Sequence, residues 1–269
     1  MMEFFKKLTD KIRKTLDNNG YTCDACGKEI FTYPEERLCP DCEENLQRNN
    51  SHTCEKCGRK TMTDGVCLTC KSVLPVFTRG YSPFVYRGDT AGLVNRAKNG
   101  NPRLACYFGE RMAEYFLPRY KAFPVLAKGE SLLILPVPLA KERLRERGYN
   151  QAERLAEVIC EKLNEEGIAA EFALDVLQKT RETALQKHMD AQGRRKNVSG
   201  AYHVHQRKAC RGRRILLVDD IMTTGATTSE CAERLFGAGA KEVYVLVIGA
   251  LPERKIVEKG EVVPENSKN

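Results

Sequence analysis

The residues with the clearest chemical pattern lie between Arg214 and Thr228, where the sequence reads RILLVDDIMTTGATT. The apolar run Ile215–Val218 is typical of a buried parallel strand, and helical periodicity follows over Ala226–Phe236. The loop between them therefore opens a helix, whose first backbone N–H groups have no intrahelical partners and carry the positive end of the dipole. The sequence predicts an anion-binding cradle formed by Thr223, Thr224, Gly225, Ala226 and Thr227.

Two carboxylates precede this cradle. Asp219 and Asp220 follow the predicted strand at its carboxyl end, which is the edge where open α/β sheets bind ligands. Ionised carboxylates only accept hydrogen bonds, which suits the hydroxyl groups of a diol. A phosphate in the loop and a vicinal diol on the acids together describe a ribose 5-phosphate. The alternative is an ordinary strand-to-helix turn with an acidic cap, but a cap needs one acid and no run of Thr.

The ordered string of four apolar residues, two acids and IMTTGAT resembles the 5-phosphoribosyl-1-pyrophosphate (PRPP) motif of type I phosphoribosyltransferases. The resemblance implies that Asp219 and Asp220 are the catalytic-site acids, which hold the ribose hydroxyls directly or through Mg²⁺. It also implies that the loop Thr223–Thr227 holds the 5-phosphate of PRPP.

In that family, the loop after the first core strand binds the pyrophosphate with backbone amides and a cation. The corresponding strand here is predicted over Leu132–Val137, and the candidates that follow it are Leu139, Ala140, Lys141 and Arg143. The basic loop Lys141–Arg147 also contains Glu142 and Glu146, which offset part of its charge. A solvated charged loop is therefore the alternative interpretation.

Eight cysteines in four C-x-x-C pairs form the second pattern: Cys23, Cys26, Cys39, Cys42, Cys54, Cys57, Cys67 and Cys70. Each pair directs two sulfur atoms at one tetrahedral ion, and two pairs complete a closed structural site. About fifty residues bury too small a core to fold alone, so metal would supply the folding energy. The pattern predicts two structural Zn²⁺ ions, with disulfides and an iron–sulfur cluster as weaker alternatives.

The sequence leaves the pairing of these turns open. Neighbouring turns would give two zinc ribbons and interleaved turns a cross-brace, although neighbouring turns close the smaller loops. His52 is surplus to a complete ligand set. The remaining cysteines are scattered and are predicted to be small buried or surface residues: Cys106, Cys160, Cys210 and Cys231.

Residues 177–202 are basic, polar and without periodicity, and are predicted to form a mobile connection between the two halves of the site. Together with the strings above, this stretch resembles the ComF family, whose members combine an N-terminal Cys₄ zinc element with a phosphoribosyltransferase domain. The matching segments are Arg147–Gln151, Arg181–Gln186, Arg194–Asn197 and Gly200–Tyr202. The resemblance implies a hood over PRPP formed by Arg181, Thr183, Gln186 and Arg194. Lys179 stands where many relatives carry Arg. The positive charge is kept, but an ammonium group lacks the paired N–H donors with which a guanidinium binds an anion in bidentate fashion.

The net charge of +8 is unevenly distributed. Residues 1–74 hold twelve basic and twelve acidic side chains, whereas Lys179–Arg214 holds eleven basic side chains and only Glu182 and Asp190 as acids. The basic surface therefore belongs to the second half of the chain, where candidate contacts to single-stranded nucleic acid are Arg194, Arg195 and Lys196. Attraction of polyanions is generic, so the same charge could instead serve PRPP.

A chain of 269 residues with 42% hydrophobic content accommodates one α/β core and a smaller module. The predicted fold is α/β, a type I phosphoribosyltransferase-like parallel sheet with flanking helices in residues 75–269, preceded by a zinc-ribbon-like Cys₄ module in residues 21–74. Residues 1–20 are predicted to form an amphipathic lead helix that lies on an anionic membrane or on the protein itself. Without an apolar run of spanning length or a signal core, the chain is predicted to be cytoplasmic or peripheral to the membrane.

Other elements are predicted from periodicity and turn residues. They are one or two strands in Phe77–Tyr86, helices over Thr90–Ala97 and Leu104–Phe116, a connector at Lys121–Lys128 and a helix that opens at Gly148–Gln151.

Two functions from different classes follow. The first is an Mg²⁺- and PRPP-dependent transferase, in which pyrophosphate leaves C1 of the ribose, a nitrogen nucleophile attacks, and charge is stabilised electrostatically. ComF-like proteins are linked to natural transformation, so the second is a non-enzymatic factor that handles single-stranded DNA, with the DNA-uptake machinery at the inner membrane face as its partner. The acceptor and the oligomeric state are left open by the sequence.

Overall fold

The centre of the fold is a parallel β-sheet whose inner strands are almost entirely apolar. The structure is a computed structural model that describes residues 22–31, 36–99, 101–121, 130–181 and 191–253. In chain order the elements in these ranges are α1 Pro40–Glu44, α2 Leu68–Ser72, β1 Arg79–Tyr81, β2 Phe84–Val85, α3 Gly88–Lys98, α4 Pro102–Lys121, β3 Leu132–Pro136, α5 Lys141–Arg147, α6 Gln151–Glu165, β4 Ala170–Phe172, β5 Leu177–Lys179, α7 Ala191–Val198, β6 Tyr202–Val204, α8 Arg207–Cys210, β7 Arg214–Met222, α9 Ala226–Gly237 and β8 Glu242–Ala250.

The sheet follows the order β1-β8-β7-β3-β4, with β2 also paired to β8, and every pair in it is parallel. Its register aligns Ile134 with Leu216 and Val218 with Leu246. Strands of this kind are buried on both faces, which explains why β3, β7 and β8 read as continuous apolar runs. The predicted parallel α/β fold is confirmed.

Alternate residues of β7 face two different layers, as the pleat requires. Leu216 and Val218 belong to the core under α3, α4 and α6. Ile215 and Leu217 belong to the opposite core, which is covered by α9. The small antiparallel pair β5–β6 and helix α7 lie on that second side, against α9.

Several element predictions need correction. The basic segment Lys141–Arg147 is helix α5 and not a loop, because it is rich in good helix formers and Gly148 ends it in the left-handed region at φ 77°. The stretch 177–202 contains β5, α7 and β6 where no regular structure was predicted. Strands of three residues carry no readable periodicity and form here only because Leu177 pairs with Val204.

Predicted elements elsewhere agree in kind and differ in length. Helices α3 and α4 include the predicted spans Thr90–Ala97 and Leu104–Phe116 and extend beyond both at each end. Strand β7 continues past Val218 to Met222 because its pairing with β8 continues to Ala250. The lead helix in residues 1–20 and residues 122–128 of the connector lie outside the described residues.

The cysteine-rich segment packs directly on the sheet. Cys23 and Cys39 belong to the core under α4, while the second set of four cysteines shares a core with Phe77 and Leu133. The segments on either side of residue 75 share buried side chains. The division of the chain into two domains at this residue therefore remains a proposal. In the part of the chain that the structure describes, no helix is both long and apolar enough to cross a membrane.

Candidate functional site

The loop between β7 and α9 contains the residues of the predicted anion cradle and leads directly into the N-terminus of α9. Gly225 is the N-cap of α9 and has φ 77° and ψ 12°, a left-handed conformation that costs an L-residue about 1–2 kcal/mol. The first turn of α9 is closed on this residue, because the Ser229 N–H and the Thr228 hydroxyl both donate to the Gly225 carbonyl, at 2.9 and 3.2 Å. The helix thus begins at Ala226, as predicted, with its N-terminus facing the loop.

A small concavity lies over this loop, lined by Asp219, Ile221, Met222 and Thr223–Thr228. The side-chain oxygen of Thr224 is buried there and has no hydrogen-bond partner among the described residues. Buried polar atoms are nearly always paired in folded proteins. A hydroxyl left unpaired beside the N-terminus of a helix suits a phosphate oxygen.

Asp219 is the acid that lines this concavity. It is half-buried on the α9 side of the sheet, and its Oδ1 accepts the backbone N–H of Asp220 at 2.8 Å. Burial of the carboxyl and the charge of Asp220 raise the pKa of Asp219 to about 8. The raised pKa favours the protonated carboxyl of Asp219, and a cation or a hydrogen-bond donor beside it would favour the carboxylate.

Asp220 lies on the opposite face of β7 and is almost completely buried. Its Oδ2 accepts from Lys98 Nζ at 2.9 Å and from Gln151 Nε2 at 2.7 Å. The structure therefore separates the two acids: Asp219 faces the cradle, and Asp220 is neutralised by groups from α3 and α6. The sequence did not predict the contact with Lys98, but Gln151 was visible as the last residue of the RGYNQ string.

The same string fixes the start of α6. Asn150 caps this helix by accepting from the Ala152 N–H at 3.1 Å, and its amide donates to the Val137 carbonyl at 3.1 Å. Arg147 in turn donates to Gln151 Oε1 at 3.3 Å. The polar residues of the string thus hold α6 against the carboxyl end of β3 and orient the amide that binds Asp220.

The predicted pyrophosphate residues lie at the same edge of the sheet as the acids. Leu139 and Ala140 follow β3, which is the neighbour of β7, and the Val137 N–H donates to the Val218 carbonyl at 2.8 Å. Lys141 is exposed at the start of α5, and Arg143 pairs with Glu146 at 3.4 Å. The backbone after β3 is thus close to the strand that carries the acids, while the two cations belong to a helix.

The predicted hood is only partly described. Arg181 donates to the carbonyls of Asn197 and Ser199, at 3.0 and 2.6 Å, and so holds the end of α7. Thr183 and Gln186 lie outside the described residues. Of the candidate nucleic-acid residues on α7, Arg194 is half-buried, Lys196 is exposed and Arg195 donates to the Leu74 carbonyl at 3.1 Å.

The eight cysteines form two groups, and neighbouring C-x-x-C turns pair as the shorter-loop alternative predicted. The first Cys₄ group is Cys23, Cys26, Cys39 and Cys42, and the second Cys₄ group is Cys54, Cys57, Cys67 and Cys70. Within each group, the four sulfur atoms lie within 4.8 Å of one another. Four convergent thiols with no fifth ligand fit a closed tetrahedral Zn²⁺ site. His52 pairs with Asp64 at 2.7 Å and belongs to neither group.

Backbone N–H groups also point at the sulfur atoms. Cys54 Sγ accepts from the N–H groups of Cys57 and Cys67 at 3.5 and 3.2 Å, and Cys23 Sγ accepts from Cys39 N–H at 3.2 Å. Contacts with the neighbouring Cys57, Cys67 and Cys70 side chains hold the pKa of Cys54 well below its usual value. The folded chain therefore favours a thiolate at Cys54, the sulfur atom that accepts the two backbone N–H groups, whereas the pKa values of Cys57 and Cys70 are raised by their cysteine neighbours.

The two groups are copies of one local structure in different surroundings. Gly27 and Gly58 both have positive φ after the first C-x-x-C turn, and α1 and α2 both begin directly after a cysteine of the second turn. In the first group Cys26 is exposed and Cys42 half-buried, whereas all four cysteines of the second group are buried. A Cβ on Gly58 would lie 2.5 Å from the Gly80 carbonyl, so the second group is seated tightly against β1.

A second cleft, of about 310 Å³, lies apart from the cradle. It is lined by Thr53, Cys54, Gly58, Arg79, Gly80, Tyr81, Tyr115 and Arg119. The larger opening therefore does not coincide with the predicted phosphate loop, and the N-terminus of α9 lies at the smaller concavity.

Some known proteins match less than half of this chain and others match most of it. No protein-family profile matches the chain. The DNA utilization protein YhgH of Escherichia coli O157:H7 is 33% identical over 112 residues, which is 42% of this chain and 46% of YhgH. Competence protein F of Haemophilus influenzae is 27% identical over 248 residues, 91% of this chain and 97% of that protein. Competence protein ComFC of Bacillus subtilis is 26% identical over 234 residues, 83% and 88% of the two chains. The match thus spans less than half the length of YhgH and most of the two competence proteins.

Solved structures similar to this chain include phosphoribosyltransferases of low sequence identity. Hypoxanthine phosphoribosyltransferase from Trypanosoma cruzi is 14% identical, with a TM-score of 0.36 over 60% of this chain and 72% of that one. The Leishmania donovani hypoxanthine-guanine enzyme is 13% identical, with a TM-score of 0.34 over 57% and 81%. TM-scores this low carry no argument about the fold. The α/β fold of this chain follows instead from its sheet order and from the succession of β7, loop and α9. The chain is thus similar to ComF-type competence proteins over most of its length, and it combines a parallel α/β sheet with two N-terminal Cys₄ groups.

Proposed function

We propose that this chain binds PRPP at the carboxyl edge of its sheet and acts as a phosphoribosyltransferase-like protein of the ComF type in DNA uptake or nucleotide metabolism. One observation carries the proposal: the loop that opens α9 combines a left-handed Gly225 with a buried Thr224 hydroxyl that has no partner among the described residues. A dianionic phosphate would accept from that hydroxyl and from the N–H groups of the helix terminus.

The remaining parts of PRPP fit the neighbouring residues. Asp219 lines the cradle beside the loop and would accept from the ribose hydroxyls, directly or through a metal ion. The backbone of Leu139 and Ala140, with Lys141 or Arg143, would hold the pyrophosphate after β3. Mg²⁺ bound with PRPP would neutralise the departing pyrophosphate. Asp220 would contribute indirectly, because it binds Lys98 and Gln151 and keeps both side chains in place under β7.

The reaction that these residues support is a displacement at C1 of the ribose by a nitrogen nucleophile, with pyrophosphate as the leaving group. The chain's contribution would be positioning and electrostatic stabilisation of the developing charge. Two structural Zn²⁺ ions in the Cys₄ groups would maintain the fold and take no part in the displacement.

Calorimetric titration of the full chain with PRPP and Mg²⁺ tests the proposal. We expect saturable 1:1 binding, and pyrophosphate release when a panel of nucleobases is added. Lys162 and Glu165 form an exposed pair at the far end of α6, so the Glu165→Gln variant serves as a folded control that keeps every proposed contact. Absence of PRPP binding by the native protein would contradict the proposal.

A second function is favoured by the similarity to competence and DNA utilization proteins. In this alternative, the chain handles single-stranded DNA without turnover, on the basic surface that includes Arg194 and Lys196, beside the DNA-uptake machinery at the cytoplasmic face of the inner membrane. Steeply salt-dependent binding of single strands, without pyrophosphate release from PRPP, would favour this function over the first.

A further inference from the structure

Arg59 connects two parts of the molecule that are 164 residues apart in sequence. Its Nε donates to Cys57 Sγ at 3.2 Å, and its Nη2 donates to the Thr223 carbonyl at 2.8 Å. Only 4% of the residue is exposed. An arginine stays protonated in proteins, so a buried one needs a counter-charge in contact. Four thiolates around one Zn²⁺ carry a formal net charge of about −2 and would supply it.

The carbonyl that Arg59 holds belongs to the first residue of the phosphate cradle. In a trans peptide, a carbonyl and the following N–H point in opposite directions within one plane. A Thr223 carbonyl fixed towards Arg59 therefore fixes the Thr224 N–H away from it and prevents rotation of this peptide. An anion at a helix N-terminus recognises the directions of such N–H groups. Arg59 is thus placed to set the donor geometry of the loop.

A second connection joins the same two regions. The Leu68 N–H, at the start of α2, donates to Glu253 Oε1 at 2.6 Å, and the Glu253 N–H donates to the Lys60 carbonyl at 3.0 Å. Close by, the Leu251 N–H donates to the Met222 carbonyl at 3.0 Å, at the end of β7. The second Cys₄ group is therefore fastened to the strand end from which the cradle begins.

The first Cys₄ group shows that this connection is not a general property of the local structure. Lys28 occupies the position equivalent to Arg59, directly after the glycine of the first C-x-x-C-G string. Its side chain is 66% exposed and pairs with Asp41 at 3.2 Å. Two copies of one turn thus carry a basic residue at the same place, and only the copy beside the sheet directs it at the phosphate loop.

We propose that Arg59 is a positioning residue for the phosphate loop and makes anion binding there depend on the metal in the second Cys₄ group. Loss of the metal, followed by protonation of the thiolates that held it, would remove the counter-charge beside Arg59 and release the Thr223 carbonyl. The identity of the ligand rests on the proposed function above, whereas the link from the metal site to the loop does not.

Hydrogen exchange of the backbone amides in residues 221–228 tests the link on the zinc-loaded full chain without ligand. We compare Arg59→Met and Arg59→Lys with the matched control Lys28→Met, after measuring the zinc content of each. Exchange in Arg59→Met should be about tenfold faster than in the native chain, because one buried charge-assisted hydrogen bond to the loop is lost. Arg59→Lys should lie between the two, since a single ammonium cannot span both contacts. Lys28→Met should exchange like the native chain.

A second matched pair of variants tests whether the phosphate loop depends on the metal. Cys67→Ser and Cys39→Ser change equivalent cysteines, each directly before a short helix, in the second and first groups. Each variant should lose one of the two zinc ions, but only Cys67→Ser should accelerate exchange in the loop. Equal exchange in the two variants would overturn the metal dependence.

Titration of the same variants with PRPP and Mg²⁺, and with ribose 5-phosphate, separates the two proposals. About tenfold weaker binding by Arg59→Met, with Lys28→Met unchanged, supports both. If the native chain binds neither ligand while Arg59→Met still exchanges faster, the proposed function fails and the positioning role stands. Native-like loop exchange in Arg59→Met overturns the positioning role whatever the chain binds. Should Arg59→Met lose zinc or unfold, Arg59→Lys decides by the same criterion.

Discussion

Lys98 and Asp220 form an ion pair of 2.9 Å beneath the strand that carries the candidate phosphate site, and Gln151 completes it at 2.7 Å. The pair lies on the sheet face covered by α3, α4 and α6, so Asp220 points away from the side that Asp219 faces. Two adjacent carboxyls therefore have different environments, and their substitution should have opposite effects on stability.

Asp220→Asn should lower the free energy of unfolding by about 3 kcal/mol, because it leaves the ammonium of Lys98 largely buried without its counter-charge. Urea unfolding followed by circular dichroism measures this loss. The double variant Lys98→Met/Asp220→Asn is the control and should lose less than the sum of its single changes. Additive losses would show that the pair contributes no coupling.

In the absence of PRPP and Mg²⁺, Asp219→Asn should stabilise the zinc-loaded protein increasingly as the pH rises from about 4 to 8. The pKa of Asp219 is raised from 3.8 to about 8, so the folded chain holds a proton in this range that the unfolded chain releases. Stability contributed by the protonated carboxyl is therefore lost as the pH rises, and Asn avoids the loss. Unfolding of both proteins at pH 5 and pH 8 checks the sign, and a larger benefit at pH 5 would contradict it.

Thr224→Val should reduce PRPP affinity about tenfold while leaving the free energy of unfolding unchanged or higher. The native hydroxyl is buried without a partner among the described residues, so an isosteric methyl removes a desolvated polar atom and with it a donor for phosphate. Thr228→Val is the matched control, because the Thr228 hydroxyl donates to the Gly225 carbonyl. We expect this control to lose about 1 kcal/mol of stability.

Purified protein should contain two Zn²⁺ ions per chain, measured by elemental analysis. A chelator should remove them in two phases, and the first Cys₄ group should lose its ion earlier because Cys26 is exposed and Cys42 half-buried. The second group is completely buried and should release its ion only when the adjoining sheet edge opens. Cys26→Ser should abolish the fast phase only. A protein without metal and with oxidised cysteines would refute the assignment.

Neutralising Arg194 and Lys196 together should weaken binding of single-stranded nucleic acid. It should also make the slope of log binding constant against log salt concentration less steep by about 1.4, because each phosphate contact contributes about 0.7. Arg195 is left intact because it donates to the Leu74 carbonyl. The matched control changes Lys60 and Lys71, which are exposed in the cysteine-rich segment. Equal losses from the two pairs would place the nucleic-acid contacts on the cysteine-rich segment as well.

The features that were predictable from sequence are those encoded within a few neighbouring residues. The run Ile215–Val218, the glycine at the start of α9 and the spacing of the cysteines each carry their own physical signal. Sequence could also restrict the cysteine pairing, because loop closure favours the shorter connections.

The contacts that sequence did not predict join residues that only the tertiary fold brings together. Lys98 meets Asp220 because α3 packs against the sheet, and Arg59 meets Thr223 across 164 residues. Helix α5 was missed for a different reason, since its charged residues have no apolar stripe and read as a solvated loop. Helix propensity and the C-cap at Gly148 are local signals that make this segment helical.

The strand order has a consequence for how the chain is assembled during synthesis. Strand β8 lies between β1 and β7, so Tyr81 finds its partner Leu246 only after the ribosome has made nearly the whole described chain. The Cys₄ groups, in contrast, close over spans of 20 and 17 residues and can take up metal while the sheet is still incomplete. When β8 finally enters the sheet, it meets a second Cys₄ group that is already folded. Because Leu251 and Glu253 follow β8, their hydrogen bonds to the Met222 and Lys60 carbonyls are among the last contacts that synthesis of the described chain allows.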